Sequence, residues 1–246
     1  MEIQVRDLYK SFNGNNVLRG LTLDIPDGRA TAVLGGSGCG KTVLLKHILG
    51  ILKPDSGQIF IDGRDITPLK ERDLLPIRTR IGLIFQGGAL LNSLSVYENC
   101  ALALREHRLA PEREIRRIVQ EKLNLMGLGD RLEERPGNLS GGMRKRVAIA
   151  RVLTMNPEAI LWDEPTTGLD PPRATRVDNL IREMSERTRV TTVVVTHDLI
   201  SAFNLADRVH FIHEGQVVES GDVEAFRASQ NKHVREFLAR HSGISR

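Results

Sequence analysis

The run Gly35-Gly36-Ser37-Gly38-Cys39-Gly40-Lys41-Thr42 sets glycines ahead of a lysine and a hydroxyl residue, in the spacing G-x-x-x-x-G-K-[ST]. Glycines there let successive backbone N–H groups turn inward around phosphate oxygens. Lys41 supplies positive charge for the β- and γ-phosphates of a nucleotide, and Thr42 supplies an oxygen for Mg²⁺. A second group, Ile160-Leu161-Trp162-Asp163-Glu164, ends an apolar run in two carboxylates. Asp163 suits the ion, directly or through water, and Glu164 suits a general base that polarises the attacking water. The third, Leu139-Ser140-Gly141-Gly142-Met143, opens a helical pattern. Ser140 caps it, and Gly141 and Gly142 leave its first N–H groups open to an anion. Alone, each fragment also reads plainly, as a Gly-rich turn, a strand-end turn and a capped helix. Two phosphate-binding helix starts are hard for one nucleotide to use within one chain, but two chains arranged head to tail can share them.

These groups need elements to hold them. Arg29 to Leu34 is a short apolar strand running into the glycines, and Lys41 to Leu49 carries Leu44, Leu45, Ile48 and Leu49 at helical spacing until Gly50 stops it. Ala159 to Trp162 and Val190 to Val195 are continuous apolar runs, suited to strands buried on both faces of a parallel sheet. Ile81 to Phe85 is another strand candidate. Before the glycines, Leu21, Leu23 and Ile25 alternate with polar residues, and Asp62-Gly63 after Gln58 to Ile61 signals a hairpin, so this part is antiparallel. Between about residues 87 and 156 helical patterns dominate. Pro111 to Met126 keeps Ile115, Ile118, Val119 and Leu123 on one face. The tail places Phe226, Val234, Phe237 and Leu238 for one or two short docked helices. The pattern predicts an α/β fold with a mainly parallel sheet. It is one domain over 1–246, with a core at about 1–86 and 157–246 and an inserted helical subdomain at about 87–156.

Composition sets outer bounds. The 246 residues are 40% hydrophobic and 27% charged, as in an ordinary globular protein. No apolar run approaches the roughly 18 residues of a membrane span, and the mixed-charge start predicts no signal peptide. Cys39 and Cys100 are the only cysteines, which excludes a disulfide scaffold and suits a reducing cytosol. The net charge of +4 comes from interspersed residues, and no nucleic-acid partner is expected.

With these groups in this order, the sequence resembles the ATP-binding-cassette (ABC) ATPases over nearly its whole length. Gly35 to Thr42 looks like the Walker A loop, Leu139 to Met143 the signature, and Asp163-Glu164 the end of Walker B. Phe12 sits where the adenine-stacking aromatic lies, Gln86 matches the Q-loop glutamine, and Asp170 in Gly168-Leu169-Asp170 matches the D-loop. His197 in Thr196-His197-Asp198 matches the switch histidine. The resemblance implies a P-loop NTPase (RecA-like) core and ATP and Mg²⁺ as ligands. Gln86 would lie beside the ion with Thr42 and Asp163, and catalysis would rest on Lys41, Glu164 and His197.

A closer resemblance is to the ATPases of the Mla/MCE phospholipid transport systems. It rests on Phe85 to Asn99, on Leu104-Arg105-Glu106-His107, on the tail from Glu224, and on methionine at 143, where most ABC proteins have glutamine. Met143 cannot make an amide's hydrogen bonds, and Lys145 and Val43 are further departures from the common pattern. The implied protein is a peripheral ATPase on the cytoplasmic face of the inner membrane. It would work as a head-to-tail pair with permease subunits, an MCE lipid-binding protein and a small cytoplasmic partner, maintaining outer-membrane lipid asymmetry. Another ABC importer or exporter is the main rival. A non-transport cassette acting on DNA or ribosomes fits less well, since neither long coiled coils nor a second cassette is present.

Overall fold

Residues 1–85 and 87–241 are described by a computed structural model, with side chains for all of these except His241. Two units emerge, one made of Met1–Ile81 with Glu158–Arg246 and the other of Gly82–Pro157. Gln86 lies outside the described residues.

The first unit opens with β1 (Ile3–Phe12) and β2 (Asn15–Ile25), an antiparallel pair in which Ile3 faces Ile25. Leu21, Leu23 and Ile25 of β2 are buried, as their alternation predicts, and Ile3, Val5 and Leu8 of β1 are buried with them. Then come β3 (Ala30–Gly35), buried throughout, and α1 (Lys41–Ile48). β4 (Ser56–Ile61) and β5 (Arg64–Asp65) form the expected hairpin, with Asp62 and Gly63 at φ 49° and 76° as a two-residue turn requires. The first sheet has the order β2-β1-β4-β5. α2 (Glu71–Arg78) leads to β6 (Ile81–Ile84), on which the chain passes out of this unit. The predicted strand to Phe85 stops at Ile84, and Phe85 is exposed.

The second unit is helical: α3 (Val96–Glu106), α4 (Glu112–Leu125) and α5 (Gly141–Leu153) pack on one another. Ser95 and Glu98 close a capping box at the start of α3. Ile115, Val119 and Leu123 are the buried stripe of α4, with Ile118 half-buried beside them.

The chain then returns to the first unit with β7 (Ala159–Asp163), α6 (Pro171–Thr188), β8 (Thr191–Thr196), α7 (Leu199–Leu205), β9 (Arg208–His213) and β10 (Gln216–Gly221). It continues into α8 (Val223–Arg227) and α9 (Lys232–His241). The second sheet runs β10-β9-β3-β8-β7-β6, with β3 parallel to β8 and β9, and β7 parallel to β8. Phe226 of α8 and Val234 and Phe237 of α9 are buried with Ala32, Leu34 and Phe211 of the sheet, as expected for docked tail helices. Leu34 is in register with Thr196, and Asp163 with Val195. The carboxyl ends of β3, β7 and β8 therefore lie together, the place where open α/β sheets bind ligands.

Candidate active site

The loop 36–40 leaves β3 and enters α1 through Gly40, whose φ of 106° is closed to other residues. A side chain there would also run into Leu18 at 2.6 Å. Gly36 and Gly38 instead have open space where a Cβ would stand, so the loop keeps bare backbone toward its concave side. A pocket of about 380 Å³ opens there, lined by Val17, Ser37, Gly38, Gly40, Lys41, Thr42, Val43 and Glu164. Its glycines and amides fit a phosphate chain. Cys39 is half-buried within the loop, its Sγ packed against Gly35, and burial pushes its thiol pKa up against the pull of Lys41.

Lys41 is 6% exposed and donates from Nζ to Gly35 O at 2.8 Å and Gly36 O at 3.0 Å. Nζ also lies 3.3 Å from Glu164 Oε1. Glu164 follows β7 with φ 50°, a conformation costly for a residue with a Cβ, while its N–H donates to Val195 O at 3.0 Å. That turn delivers the carboxylate to a set of donors. Glu164 Oε2 accepts from Thr167 Oγ1 at 2.8 Å and lies 2.9 Å from His197 Nδ1 and 3.4 Å from Thr196 Oγ1. Lys41, Glu164 and His197, predicted from three separate motifs, thus meet in one cluster. Thr167 and Thr196 were not foreseen, because threonine near a strand end carries no signal of its own.

Beside this cluster, Thr42 Oγ1 donates to Asp163 Oδ1 and Oδ2 at 3.0 and 3.1 Å. Burial, aided by the neighbouring Glu164 charge, raises the Asp163 pKa above the usual carboxylate range. Two oxygen ligands in contact fit a Mg²⁺ shell that phosphate and water complete. Among the described residues no cluster of three or more His, Cys, Asp or Glu is built to hold an ion unaided.

Phe12 ends β1 with 39% of its surface exposed and Lys10 Nζ 5.5 Å from its ring centre, so the ring is open to a stacking partner. Asp170 caps α6, accepting from Arg173 N at 3.0 Å, and pairs with Arg173 Nε at 3.1 Å. In the helical unit Ser140 caps α5, accepting from Met143 N at 3.3 Å. Gly142 has open space around it, and Gly141 meets only Arg144 Nη2, at 3.9 Å.

Residues 18–167 match the ABC transporter family. This chain belongs to that family. It is 43% identical over 236 residues to the probable ribonucleotide transport ATP-binding protein mkl of Mycobacterium leprae, covering 96% of this chain and 68% of that protein. It is 39% identical to the intermembrane phospholipid transport system ATP-binding protein MlaF of Haemophilus influenzae, covering 96% of this chain and 89% of that one. Among solved structures it resembles cbiO1 of Clostridium perfringens, part of the cbiONQ transporter complex, with a TM-score of 0.85, 33% identity and coverage of 98% and 96%. The ATP-binding cassette MJ0796, solved as a dimer bound to ADP and Pi, superposes with a TM-score of 0.80, 30% identity and coverage of 90% and 98%. The expected P-loop α/β fold is the fold of these cassettes. As an ABC ATPase the chain binds ATP and hydrolyses it to drive a transporter. Among its described residues no helix is long and apolar enough to cross a membrane.

Proposed function

We propose that this ABC ATPase powers phospholipid movement between membranes, working as a head-to-tail pair beneath permease subunits. The observation that carries the chemistry is the convergence of Lys41, Glu164 and His197 beside the Thr42–Asp163 pair. Lys41 neutralises the β- and γ-phosphates. Glu164 orients the attacking water and takes its proton at a carboxylate oxygen, while His197 contacts the γ-phosphate and stabilises charge developing there. Thr42 and Asp163 would hold Mg²⁺, which would supply counter-charge to the phosphates; Gln86, expected beside the ion, lies outside the described residues. Phe12 stacks on adenine. The bare start of α5, at Ser140, Gly141 and Gly142, and the Asp170 turn close over the nucleotide of a second copy. The dimer of MJ0796 supports this arrangement. Hydrolysis removes the bridging phosphate and the pair reopens.

The cargo reading rests on the match to MlaF across 89% of that protein and on the segment from Phe85 to Asn99. The mycobacterial relatives, named for ribonucleotide transport, are spanned over about two thirds of their length, 68% and 66%. An inner-membrane location, an MCE lipid-binding protein and a small cytoplasmic partner follow from the phospholipid reading. Its test has two parts. Purified chain should release phosphate from ATP only with Mg²⁺ present, and Lys41→Ala should abolish release. Turnover by that variant would remove the site assignment. The chain co-purified with its permease should then move labelled phospholipid between vesicles in an ATP-dependent way. ATP-driven uptake of ribonucleotides without lipid transfer would replace the cargo.

A further inference from the structure

Arg151, near the end of α5, is a half-buried cation that no carboxylate among the described residues pairs with. Its guanidinium instead donates from Nη1 to Ala89 O at 2.7 Å and from Nη2 to Gly88 O at 2.9 Å. Burial lowers its pKa from the ordinary arginine value, as expected for a cation satisfied by neutral oxygens. The two carbonyls belong to consecutive left-handed residues, Gly88 at φ 74° and Ala89 at φ 46°. Gly88 also presses on α5 one turn before Arg151, since a Cβ on it would lie 3.2 Å from Ala148 Cβ. A planar fork reaches two carbonyls at once, and a lysine ammonium cannot reproduce that geometry.

The far end of the same loop is tied by Asn99 of α3, which is 1% exposed. Its Oδ1 accepts from Leu91 N at 2.8 Å. Its Nδ2 donates to Leu91 O at 3.0 Å, Ser95 O at 2.9 Å and Leu94 O at 3.2 Å. Thr154, after α5, stands between the two helices, its Oγ1 2.6 Å from Arg151 O and 3.2 Å from Cys100 O of α3. Leu91, whose backbone Asn99 holds, keeps its side chain 46% exposed.

We propose that Arg151 and Asn99 are positioning residues that fasten the loop 88–95 to α5 and α3, so that ligand-driven movement at the start of α5 is passed to the exposed Leu91 rather than lost in a slack loop. This rests on the reading of Ser140 to Gly142 as a phosphate contact. A half-buried cation spent on two loop carbonyls suits transmission, since a methionine of similar length would fill the same space without the desolvation cost.

Amide hydrogen exchange of the full chain, in a Glu164→Gln background with and without ATP and Mg²⁺, reads this directly. In that parent, ATP should slow exchange both at 141–146 and at 88–95. Arg151→Met should keep the first response and lose about a hundredfold of the second, roughly tenfold for each of two charge-assisted bonds. Arg151→Lys should fall between, and Asn99→Ala should weaken the response from 91 onward. Should Arg151→Met fail to fold, Arg151→Gln makes the same comparison. An undiminished loop response in the Met or Gln variant overturns the proposal, as does loss of the 141–146 response in that variant, which would mark Arg151 as merely a fold residue of α5. A parent that responds at 141–146 but not at 88–95 also overturns it. A parent silent at 141–146 overturns instead the phosphate-contact reading beneath it.

Discussion

Lys41 Nζ and Glu164 Oε1 stand 3.3 Å apart with side chains only 6% and 17% exposed, so the residue proposed to bind phosphate is already paired with the residue proposed to activate water. An arriving phosphate must take Lys41 from that carboxylate. Glu164→Gln should therefore do two things. It should stall hydrolysis and trap an ATP-bound dimer visible by gel filtration. It should also tighten ADP binding by roughly tenfold, the size of one charge-assisted hydrogen bond, in a titration where no hydrolysis can occur. Unchanged ADP affinity would show that the pair does not compete with nucleotide, and a monomer with ATP would count against the head-to-tail pair.

Phe12 offers an exposed ring, remote from the γ-phosphate, so its contribution is uniform binding. Phe12→Ala should raise the ATP KM with little loss of kcat. The expected cost is about 1–3 kcal/mol, the worth of one aromatic stack on a base. Phe12→Tyr should be nearly silent. If alanine leaves affinity unchanged, Tyr9, also exposed on β1, becomes the candidate.

The sequence patterns located what is local. β3, β7 and β8 were legible because strands buried on both faces leave continuous apolar runs. α4 was legible from one clean stripe. β1 was not, because Asp7 at φ 46° breaks the register between Val5 and Leu8 and destroys the alternation. The β9–β10 hairpin turns on Glu214, whose φ of 48° its residue type does not advertise. α6 hides its helical period by burying Asp178 and Ser185 alongside Val177, Ile181 and Met184. The motifs named Lys41, Glu164 and His197 separately. The contact among them depends on the parallel register of three strands, which no local window contains.

Two buried histidines give stability a pH dependence. His210 is 1% exposed, with Nδ1 2.7 Å from Ser220 Oγ and Nε2 2.9 Å from Asp24 O, and burial holds its pKa below the ordinary value. His47, fully buried with Nδ1 2.7 Å from Val43 O, is shifted down by the same cause. The unfolded chain takes up these protons near the ordinary value of about 6.5, before the folded chain does. Their stabilisation is thus complete above that pH and is lost as pH falls toward the folded values. Asp163, shifted up by burial, works in the opposite sense. Asp55 and Glu112, each held at about 2 by Lys10 and Arg105 respectively, enter only at lower pH. The thermal midpoint should fall between pH 7 and pH 5, and His210→Gln should flatten that slope. An equal slope in the variant would assign the dependence elsewhere.

Leu91 separates an interface from a core. Its backbone is fixed by Asn99, yet its side chain is 46% exposed, whereas Leu90 is half-buried. If the loop receives a permease helix, Leu91→Glu places a charge where the complex excludes water, and a buried unpaired charge costs several kcal/mol. The isolated chain meets no such cost, because the carboxylate stays in water. The variant should therefore melt within a degree or two of the parent, as surface substitutions do. It should bind ATP normally and fail to co-purify with the membrane subunits. Leu90→Glu should lower the midpoint more, since part of that side chain is covered in the free chain. A large drop for Leu91→Glu would mean that the leucine supports the subunit's own packing. Normal co-purification would move the permease contact to another face.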